Sequence, residues 1–383
     1  MRPETSQWMS EEHLLLRDSV RKFLGQELVP NIERWRKAGV VDQAFWEKAG
    51  EAGLLAASIP ESYGGAGGSN ALDAVIMYEQ ALTGDTAWGF SVHNIVTHYV
   101  VGCGTDEQKA RWLPKLASGE WVGAIAMSEP GTGSDLQAVR TNARIDGDEL
   151  VINGSKTFIT NGQNGRLVLV VTKTGPGEGA RGISLVAVET EHTEGFIRGR
   201  MLDKLGLKGQ DTSELFFEEM RVPKANVLGG EMGRGFYQLM QQLPWERLII
   251  GIMAVGASDY AIEQTVEYAK HRKAFSQRVM DFQNTRFKLA EAKTKLEVTR
   301  AFIDQCITQH EAGKLDAATG SMAKLWGSEM QGEIIDECLQ LHGGYGFMSE
   351  YPISHLYADA RVQRIYGGTN EIMKELIARD LDD

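Results

Sequence analysis

The chain has 383 residues, of which 42% are hydrophobic, so it is long enough to form two or three lobes with buried cores. Acidic residues outnumber basic ones by 52 to 40, and the formal net charge is −12. Nucleic-acid binding needs a basic face, so this balance argues against a nucleic-acid partner. Such a partner would need a local basic patch on an otherwise acidic surface. No apolar run approaches the roughly 18 residues that a membrane-spanning helix needs.

The three cysteines, Cys103, Cys306 and Cys338, are far apart in the sequence and form no CxxC pair. This spacing predicts neither a disulfide framework nor a zinc site, and it fits a reducing compartment. The histidines show no spacing typical of metal ligands, so no metal is expected. The first residues are polar and acidic, without an apolar signal segment or an Arg-rich transit segment, which predicts a soluble, cytoplasmic protein.

The residue pattern changes twice along the chain, which predicts three domains. In residues 1–120, apolar residues recur at helical spacing. Residues 121–228 contain short β-type runs separated by Gly, Asn and Asp. Residues 229–383 return to helical segments that are long enough for a four-helix bundle. The predicted fold class is therefore α+β, with an all-α N-terminal domain, a central β-barrel or sandwich, and a C-terminal four-helix bundle.

Two local features refine this division. Residues 59–70, IPESYGGAGGSN, are rich in glycine but lack the GxGxxG order and the preceding buried strand of a dinucleotide-binding motif, so a plain loop is predicted. The first long helical segment of the last domain is residues 246–272, and Pro244 is expected to start it or to kink it.

Two segments of the β domain have residues that suit a ligand-binding wall. In residues 128–135, SEPGTGSD, small side chains and two glycines let backbone N–H groups converge on a pyrophosphate or a polar ring edge. An ordinary β-turn explains the same residues equally well. If residues 156–160, KTFIT, form a strand, Phe158 and Thr160 share one face and Ile159 points to the other. An aromatic plane beside a hydroxyl suits a flat heteroaromatic ring, although a core strand is the commoner explanation.

Five segments resemble the acyl-CoA dehydrogenase family, in the order and spacing of that family and over almost the whole chain. They are AMSEPGTGSDL (126–136), INGSKTFITNG (152–162), HRKAFSQRVMDFQ (271–283), LQLHGGYGF (339–347) and IYGGTNEIMKELIARD (365–380). The similarity is greatest to the long-chain type. The resemblance implies the three-domain fold, FAD as the cofactor, an acyl-CoA substrate and a homotetramer.

The resemblance also implies which residues hold FAD. Met127 and Ser128 would meet the pyrimidine edge of the flavin. Phe158 would flank the isoalloxazine ring, and Thr160 would reach N5. Thr369 and Glu371 would approach the diphosphate, with Thr369 at a helix N-terminus suited to phosphate. The rest of the implied set is Gly133 and Ser134 in the glycine-containing loop, and Arg272, Phe275, Gln283, Gln340, Gly343 and Gly344, which would bind the cofactor of a neighbouring subunit.

The implied reaction removes an α-proton and a β-hydride from a fatty acyl thioester, which needs a carboxylate as general base. Most of the family carries this base in the sequence Tyr-Glu-Gly-Thr, but residues 366–369 here read Tyr-Gly-Gly-Thr. The long-chain and isovaleryl types instead place a Glu before an Arg in the first long C-terminal helix, as Glu246 and Arg247 stand here. Glu246 is therefore the expected catalytic base, and a helix-surface ion pair is the alternative.

The remaining implied contacts are with the substrate. Gly367 would donate its backbone N–H to the thioester oxygen. Arg247, Ser134 and Tyr366 would contact the acyl-CoA. Residues 86–101 would line the acyl tunnel. The depth of that tunnel sets the length of the acyl group that fits, and the sequence alone does not give this depth.

Electrons would pass to an electron-transfer flavoprotein. The alternatives within the same fold are a branched short-chain, isovaleryl-type dehydrogenase, an acyl-CoA oxidase, which is usually a longer chain, and a non-catalytic flavin-binding member. A DNA-associated member would carry an extra basic domain.

Overall fold

The computed structural model describes residues 6–85, 87–175 and 179–381, and its elements run as helices, then strands, then helices. The α-helices of the first stretch are α1 (Glu11–Phe23), α2 (Ile32–Ala38), α3 (Gln43–Glu51), α4 (Asn70–Ala81), α5 (Phe90–Cys103) and α6 (Asp106–Ala117). Within this stretch, which was predicted to be helical, no individual helix was predicted at α2 or α5. The glycine-rich segment 59–70 is a loop with one 3-10 turn, as predicted.

The middle stretch forms one seven-stranded sheet with the order β1-β4-β2-β3-β7-β6, in which β5 pairs with β4. Its strands are β1 (Val122–Ala126), β2 (Asn142–Asp146), β3 (Glu149–Thr160), β4 (Gly165–Lys173), β5 (Ile183–Glu189), β6 (Phe196–Met201) and β7 (Thr212–Pro223). β1 runs parallel to β4, whereas β5 is antiparallel to it. The predicted β character of this region is confirmed, and β6 was not predicted.

The central strand β4 shows why the sheet holds the domains together. Its side chains alternate between two faces, as in any strand. Leu167, Leu169 and Val171 pack into a core that includes apolar residues of α5 and α6, whereas Val168 and Val170 pack into the core inside the sheet. Because both faces of β4 are buried, the sheet is fixed against the N-terminal helices.

The last stretch is helical. It contains α7 (Gly235–His271), α8 (Gln283–Glu311), α9 (Ala317–His342), α10 (Pro352–Ala360) and α11 (Asn370–Asp380), with a short hairpin, β8 (Lys273–Ala274) and β9 (Gln277–Arg278), between α7 and α8. The predicted segment 246–272 is helical as far as His271, and Pro244 does not start it but lies inside α7, which already begins at Gly235. α7 and α9 pack closely at glycines: a Cβ on Gly327 would lie 3.0 Å from the Cα of Gly251.

A buried ion cluster joins the N-terminal helices to this bundle. The Arg300 guanidinium of α8 donates to Asp259 of α7 at 2.7 Å, and the Tyr78 hydroxyl of α4 donates to the same carboxylate at 2.7 Å. Burial alone would raise the pKa of Asp259, but the Arg300 charge and these hydrogen bonds outweigh burial and lower the pKa. The cluster therefore depends on both charges being present.

The three-part architecture confirms the predicted fold class. The boundaries 1–120, 121–228 and 229–383 remain a proposal, and both internal boundaries fall between elements, after α6 and after β7. No helix in the described part of the chain is long and apolar enough to cross a membrane.

Candidate active site

Glu246 lies on α7 with only 8% of its surface exposed. Its Oε1 accepts a hydrogen bond of 2.6 Å from the hydroxyl of Tyr99 on α5. Burial raises the pKa of the Glu246 carboxyl to about 6, and the Tyr99 hydrogen bond and the charge of Arg247 oppose a larger rise. The carboxylate is thus buried and bonded to a tyrosine, which is not the arrangement of a surface ion pair. A pKa near neutrality suits a general base.

Aromatic stacking fixes α5, α7 and α8 against one another beside this pair. The ring of His98 stacks on Trp245 with 5.5 Å between centroids, and His310 of α8 stacks on the same indole at 4.7 Å. The Trp245 indole N–H donates to Asn94 at 3.2 Å, and His98 pairs with the buried Asp73 at 2.9 Å. Since His98 precedes Tyr99 and Trp245 precedes Glu246, these contacts set the register of the two helices at the Tyr99–Glu246 bond.

The Gly367–Gly368 turn packs against the same side of α7. Both glycines have left-handed backbones, with φ of +63° and +90°, where a side chain is unfavourable. A Cβ on Gly367 would lie 2.6 Å from Cδ1 of Ile250. Ile250 is one helical turn after Glu246 and therefore on the same face of α7. The structure thus places the turn that lacks the carboxylate beside the helix face that carries one.

Arg247 has an unusual environment for a charged side chain. It is 5% exposed, and its Nη1 donates to Ser321 of α9 at 3.1 Å. Its Nε is buried without a hydrogen-bond partner among the described residues. An orphaned buried donor of this kind is costly unless a ligand accepts from it. The free donor fits a ligand with many hydrogen-bond acceptors, such as acyl-CoA or FAD, beside α7.

Helix α11 begins directly after the glycine turn. Thr369 is its N-cap, and the Thr369 hydroxyl accepts from the backbone N–H of Ile372 at 3.4 Å. Glu371 is exposed in the first turn. Asn370 follows the cap and is buried. Its side-chain oxygen accepts a hydrogen bond of 2.6 Å from the ammonium of Lys324 on α9. Burial lowers the pKa of Lys324 to about 8. These contacts anchor the turn and the helix N-terminus on α9.

The loop at 128–135 is anchored at its start by β3. Lys156 donates to the backbone oxygen of Met127 and to the Glu129 carboxylate, both at 2.9 Å. The backbone carbonyl oxygen of Ser128 accepts a hydrogen bond of 3.0 Å from the backbone N–H of Thr157. Further along the loop, Gly133 and Ser134 are exposed. A Cβ on Gly133 would meet no atom within 4 Å, so packing inside the chain does not require glycine there.

Phe158 sits on a bulge of β3. The pairing with β7 shifts between Lys156 and Ile159, and Phe158 has φ of +61°. Its side chain is 69% exposed, whereas Ile159 is buried and Thr160 is half-buried. The burial of these three residues is compatible with the predicted facing, which remains a prediction because the bulge interrupts the regular alternation of the strand. A left-handed backbone at a bulky residue is a strained feature typical of ligand sites, and an exposed ring there fits a stacking surface for a flavin.

A second group of predicted residues lies at the other end of α7. Arg272, Gln340, Gly343 and Gly344 line one surface pocket together with Tyr345. The Arg272 guanidinium lies 5.3 Å from the centre of the Tyr345 ring. A Cβ on Gly344 would meet no atom within 4 Å, which leaves open space for a ligand.

Two further residues of this group lie close in the chain. Phe275, with φ of +50°, is 92% exposed at the tip of the β8–β9 hairpin. Gln283 begins α8 and is exposed.

The second group of predicted cofactor residues lies far from Glu246. Helix α7 rises about 1.5 Å per residue, so Arg272 lies about 39 Å along the axis from Glu246. A ligand bound beside Glu246 and a ligand bound beside Arg272 would therefore lie at opposite ends of this stretch of α7. No group of His, Cys, Asp and Glu side chains suited to a metal ion occurs in the described ranges.

Tyr99 is a site residue that the sequence did not indicate. It is 147 residues from Glu246 in the chain, and no motif links a tyrosine in an apolar helix to a distant glutamate. The only signal was its position within the region 86–101 that was expected to line the acyl tunnel.

Comparison with known proteins identifies the family. Family models for the N-terminal, middle and C-terminal domains of acyl-CoA dehydrogenase match residues 10–120, 124–220 and 233–381. The chain is 52% identical over 375 residues to the mitochondrial long-chain specific acyl-CoA dehydrogenase of Sus scrofa, covering 97% of this chain and 87% of that protein.

Solved structures agree with this assignment. An acyl-CoA dehydrogenase from Geobacillus kaustophilus superposes with a TM-score of 0.95 at 46% identity, covering 98% of this chain and 99% of that one. An acyl-CoA dehydrogenase from Bacillus anthracis, complexed with FAD, gives a TM-score of 0.92 at 32% identity, with coverage of 98% and 68%. The chain therefore belongs to the acyl-CoA dehydrogenase family of oxidoreductases, which use FAD.

Proposed function

We propose that this enzyme converts a medium- to long-chain fatty acyl-CoA to the trans-2-enoyl-CoA, with Glu246 as the base that takes the α-proton. FAD, when bound, supplies the acceptor for the β-hydride at N5. The single observation that carries the proposal is the buried Glu246 carboxylate, which lies one helical turn from the residue in contact with the Gly367 turn.

The pKa of Glu246 supports this role. At about 6, it leaves the carboxylate ionised at neutral pH while giving it more affinity for a proton than an ordinary glutamate has. A base tuned toward the working pH is the most effective one. The same burial argues against a non-catalytic flavin-binding protein, because an ionised carboxylate without a role would be costly to bury.

The other substrate contacts are proposed from their places around Glu246. The backbone N–H of Gly367 donates to the thioester oxygen, where negative charge develops as the proton leaves. The unpaired Nε of Arg247 donates to the CoA portion. Tyr366, next to the turn, and Ser134, in the exposed loop, complete the proposed contacts.

We also propose that the two groups of cofactor residues serve two different FAD molecules. Met127, Ser128, Gly133, Ser134, Phe158, Thr160, Thr369 and Glu371 hold the cofactor of their own active site. Arg272, Phe275, Gln283, Gln340, Gly343 and Gly344 hold that of a neighbouring copy. The separation of about 39 Å along α7 supports this division, and it makes a homo-oligomer, proposed to be a tetramer, part of the functional enzyme.

The finer assignments rest on similarity. The high identity to a long-chain dehydrogenase supports a long acyl chain, and the electron acceptor is proposed to be an electron-transfer flavoprotein. An isovaleryl-type branched-chain substrate is the second candidate, because that type also carries its base at the position of Glu246. The cytoplasmic location remains a prediction.

The test is Glu246→Gln, which keeps the size of the side chain but cannot take a proton. FAD content and acyl-CoA affinity should be retained, and flavin bleaching in a single anaerobic turnover should slow by about 10²–10⁴-fold. The matched control is Glu263→Gln, which changes an exposed glutamate on the same helix and should bleach at the wild-type rate. Bleaching of the Glu246 variant at that rate would show that another group is the base. A panel of straight and branched acyl-CoA substrates then separates the two candidates.

A further inference from the structure

The hydrogen bond between Tyr99 and Glu246 has the geometry of a charge-assisted contact. The two oxygens are 2.6 Å apart, within the range of about 2.5–2.7 Å for a hydroxyl that donates to a carboxylate. Tyr99 is fully buried. Burial and the charge of Glu246 raise the pKa of Tyr99 well above its usual value. The tyrosine therefore keeps its proton and acts as a donor.

The other titratable groups near Glu246 do not share this role. Arg247 is next to it on α7 and donates to Ser321 of α9. Burial and the charge of Arg247 lower the pKa of Lys324 of α9, whose ammonium is bonded to Asn370. Burial raises the pKa of the Cys103 thiol of α5, so this group is uncharged near neutral pH. Within the described ranges, Tyr99 is thus the group that hydrogen-bonds the Glu246 carboxylate, and it occupies Oε1.

The position of Tyr99 is itself well fixed. The His98–Trp245 stack lies beside it with ring planes only 6° apart, and Asp73 pairs with His98. A donor held in this way restricts how the carboxylate can rotate. Because Oε1 is engaged, Oε2 is the oxygen left to meet a substrate.

We propose that Tyr99 is a positioning residue for the catalytic base: its hydroxyl holds Oε1 of Glu246, so that Oε2 receives the α-proton of the acyl-CoA. The inference rests on the proposed role of Glu246. In this arrangement the α C–H bond breaks and an O–H bond forms at Oε2, while the electron pair of the C–H bond becomes the α–β double bond as the β-hydride leaves. Tyr99 keeps its own proton throughout. The hydrogen bond also stabilises the ionised form of Glu246, so it extends the working range of the base to lower pH.

The experiment is the pH dependence of flavin reduction in Tyr99→Phe. At low substrate concentration, the rate reports the pKa of the base in the free enzyme. Loss of a hydrogen bond to a charged group should move the acidic limb to higher pH by about one to two units, since such bonds contribute about 1.5–3 kcal/mol and one pKa unit is 1.36 kcal/mol. The control is Tyr260→Phe, which removes a hydroxyl from a half-buried tyrosine of α7 and should leave the profile in place.

A second variant has the opposite expected sign and avoids a packing defect. Replacing Tyr99 with 3-fluorotyrosine makes the phenol a stronger donor, so the acidic limb should move to lower pH. The proposal is overturned if the limb stays in place in both variants, or if Tyr99→Phe only lowers the rate at every pH. If the Tyr99 variants overturn the proposal while flavin bleaching in Glu246→Gln is slowed as expected, only the role of Tyr99 fails. If Glu246→Gln bleaches normally, the proposed base itself fails.

Discussion

A buried base should make the enzyme less stable, and Glu246→Gln tests this through folding rather than catalysis. The native pKa of about 6 compares with an ordinary value of 4.5, and each unit corresponds to 1.36 kcal/mol. The raised pKa means that the native state binds a proton more tightly than the unfolded chain. Stability is therefore lost as pH rises from about 4.5 to 6. Above pH 7 the ionised Glu246 destabilises the native state by about 2 kcal/mol.

The neutral glutamine avoids this cost and can still accept from Tyr99. The variant should therefore be more stable than the wild type by about 2 kcal/mol at pH 8 and by about 0.8 kcal/mol at pH 5. Urea unfolding of the FAD-bound enzymes at both pH values measures the difference. Glu263→Gln is the control, because exposed substitutions usually change stability by less than about 0.5 kcal/mol. A variant that is no more stable than the wild type at pH 8 would refute the reasoning that burial raises this pKa.

Two further predictions concern packing. Gly367→Ala should cost about 1–2 kcal/mol for a side chain at a left-handed backbone, with an added penalty from Cδ1 of Ile250. Ile250→Val removes that atom, so the double variant should lose less stability than the sum of the two single changes, and strict additivity in thermal unfolding would contradict the contact. Arg300→Met removes the closest cation from Asp259 and leaves Lys293 at 3.7 Å, so it should cost about 3 kcal/mol at pH 7. Because the pKa of Asp259 is lowered in the native enzyme, this loss should shrink as pH falls below about 4, and a loss that does not depend on pH would contradict the ion pair.

The pairing of Glu246 with Gly367 could be predicted because each residue sits in a short motif with a recognisable sequence. Local patterns also gave most helices and most strands, since hydrophobic periodicity depends on neighbouring residues. Helix α5 was missed because it is buried almost all round between α7 and β1: its polar residues His93, Asn94, Thr97 and His98 are buried with its apolar ones, so no exposed polar face reveals a helical period.

The details of the site depend on contacts between distant segments. Tyr99 meets Glu246 because three stacked rings set the register of α5 on α7. No local sequence pattern indicates a contact between residues so far apart in the chain. The bulge at Phe158 was also not predicted. The prediction assumed the alternation of a regular strand, whereas the left-handed backbone at Phe158 follows from how β3 pairs with β7.

The length of α7 has a genetic consequence if the two cofactor groups serve neighbouring copies as proposed. One chain would contribute Glu246 to its own site and Arg272 to the next. Consider an oligomer that mixes a chain damaged at Glu246 with a chain damaged at Arg272. One of their shared sites would then contain both lesions, and the other would contain neither. Two alleles that are each inactive alone would restore part of the activity when expressed together, whereas two lesions within the same group would not.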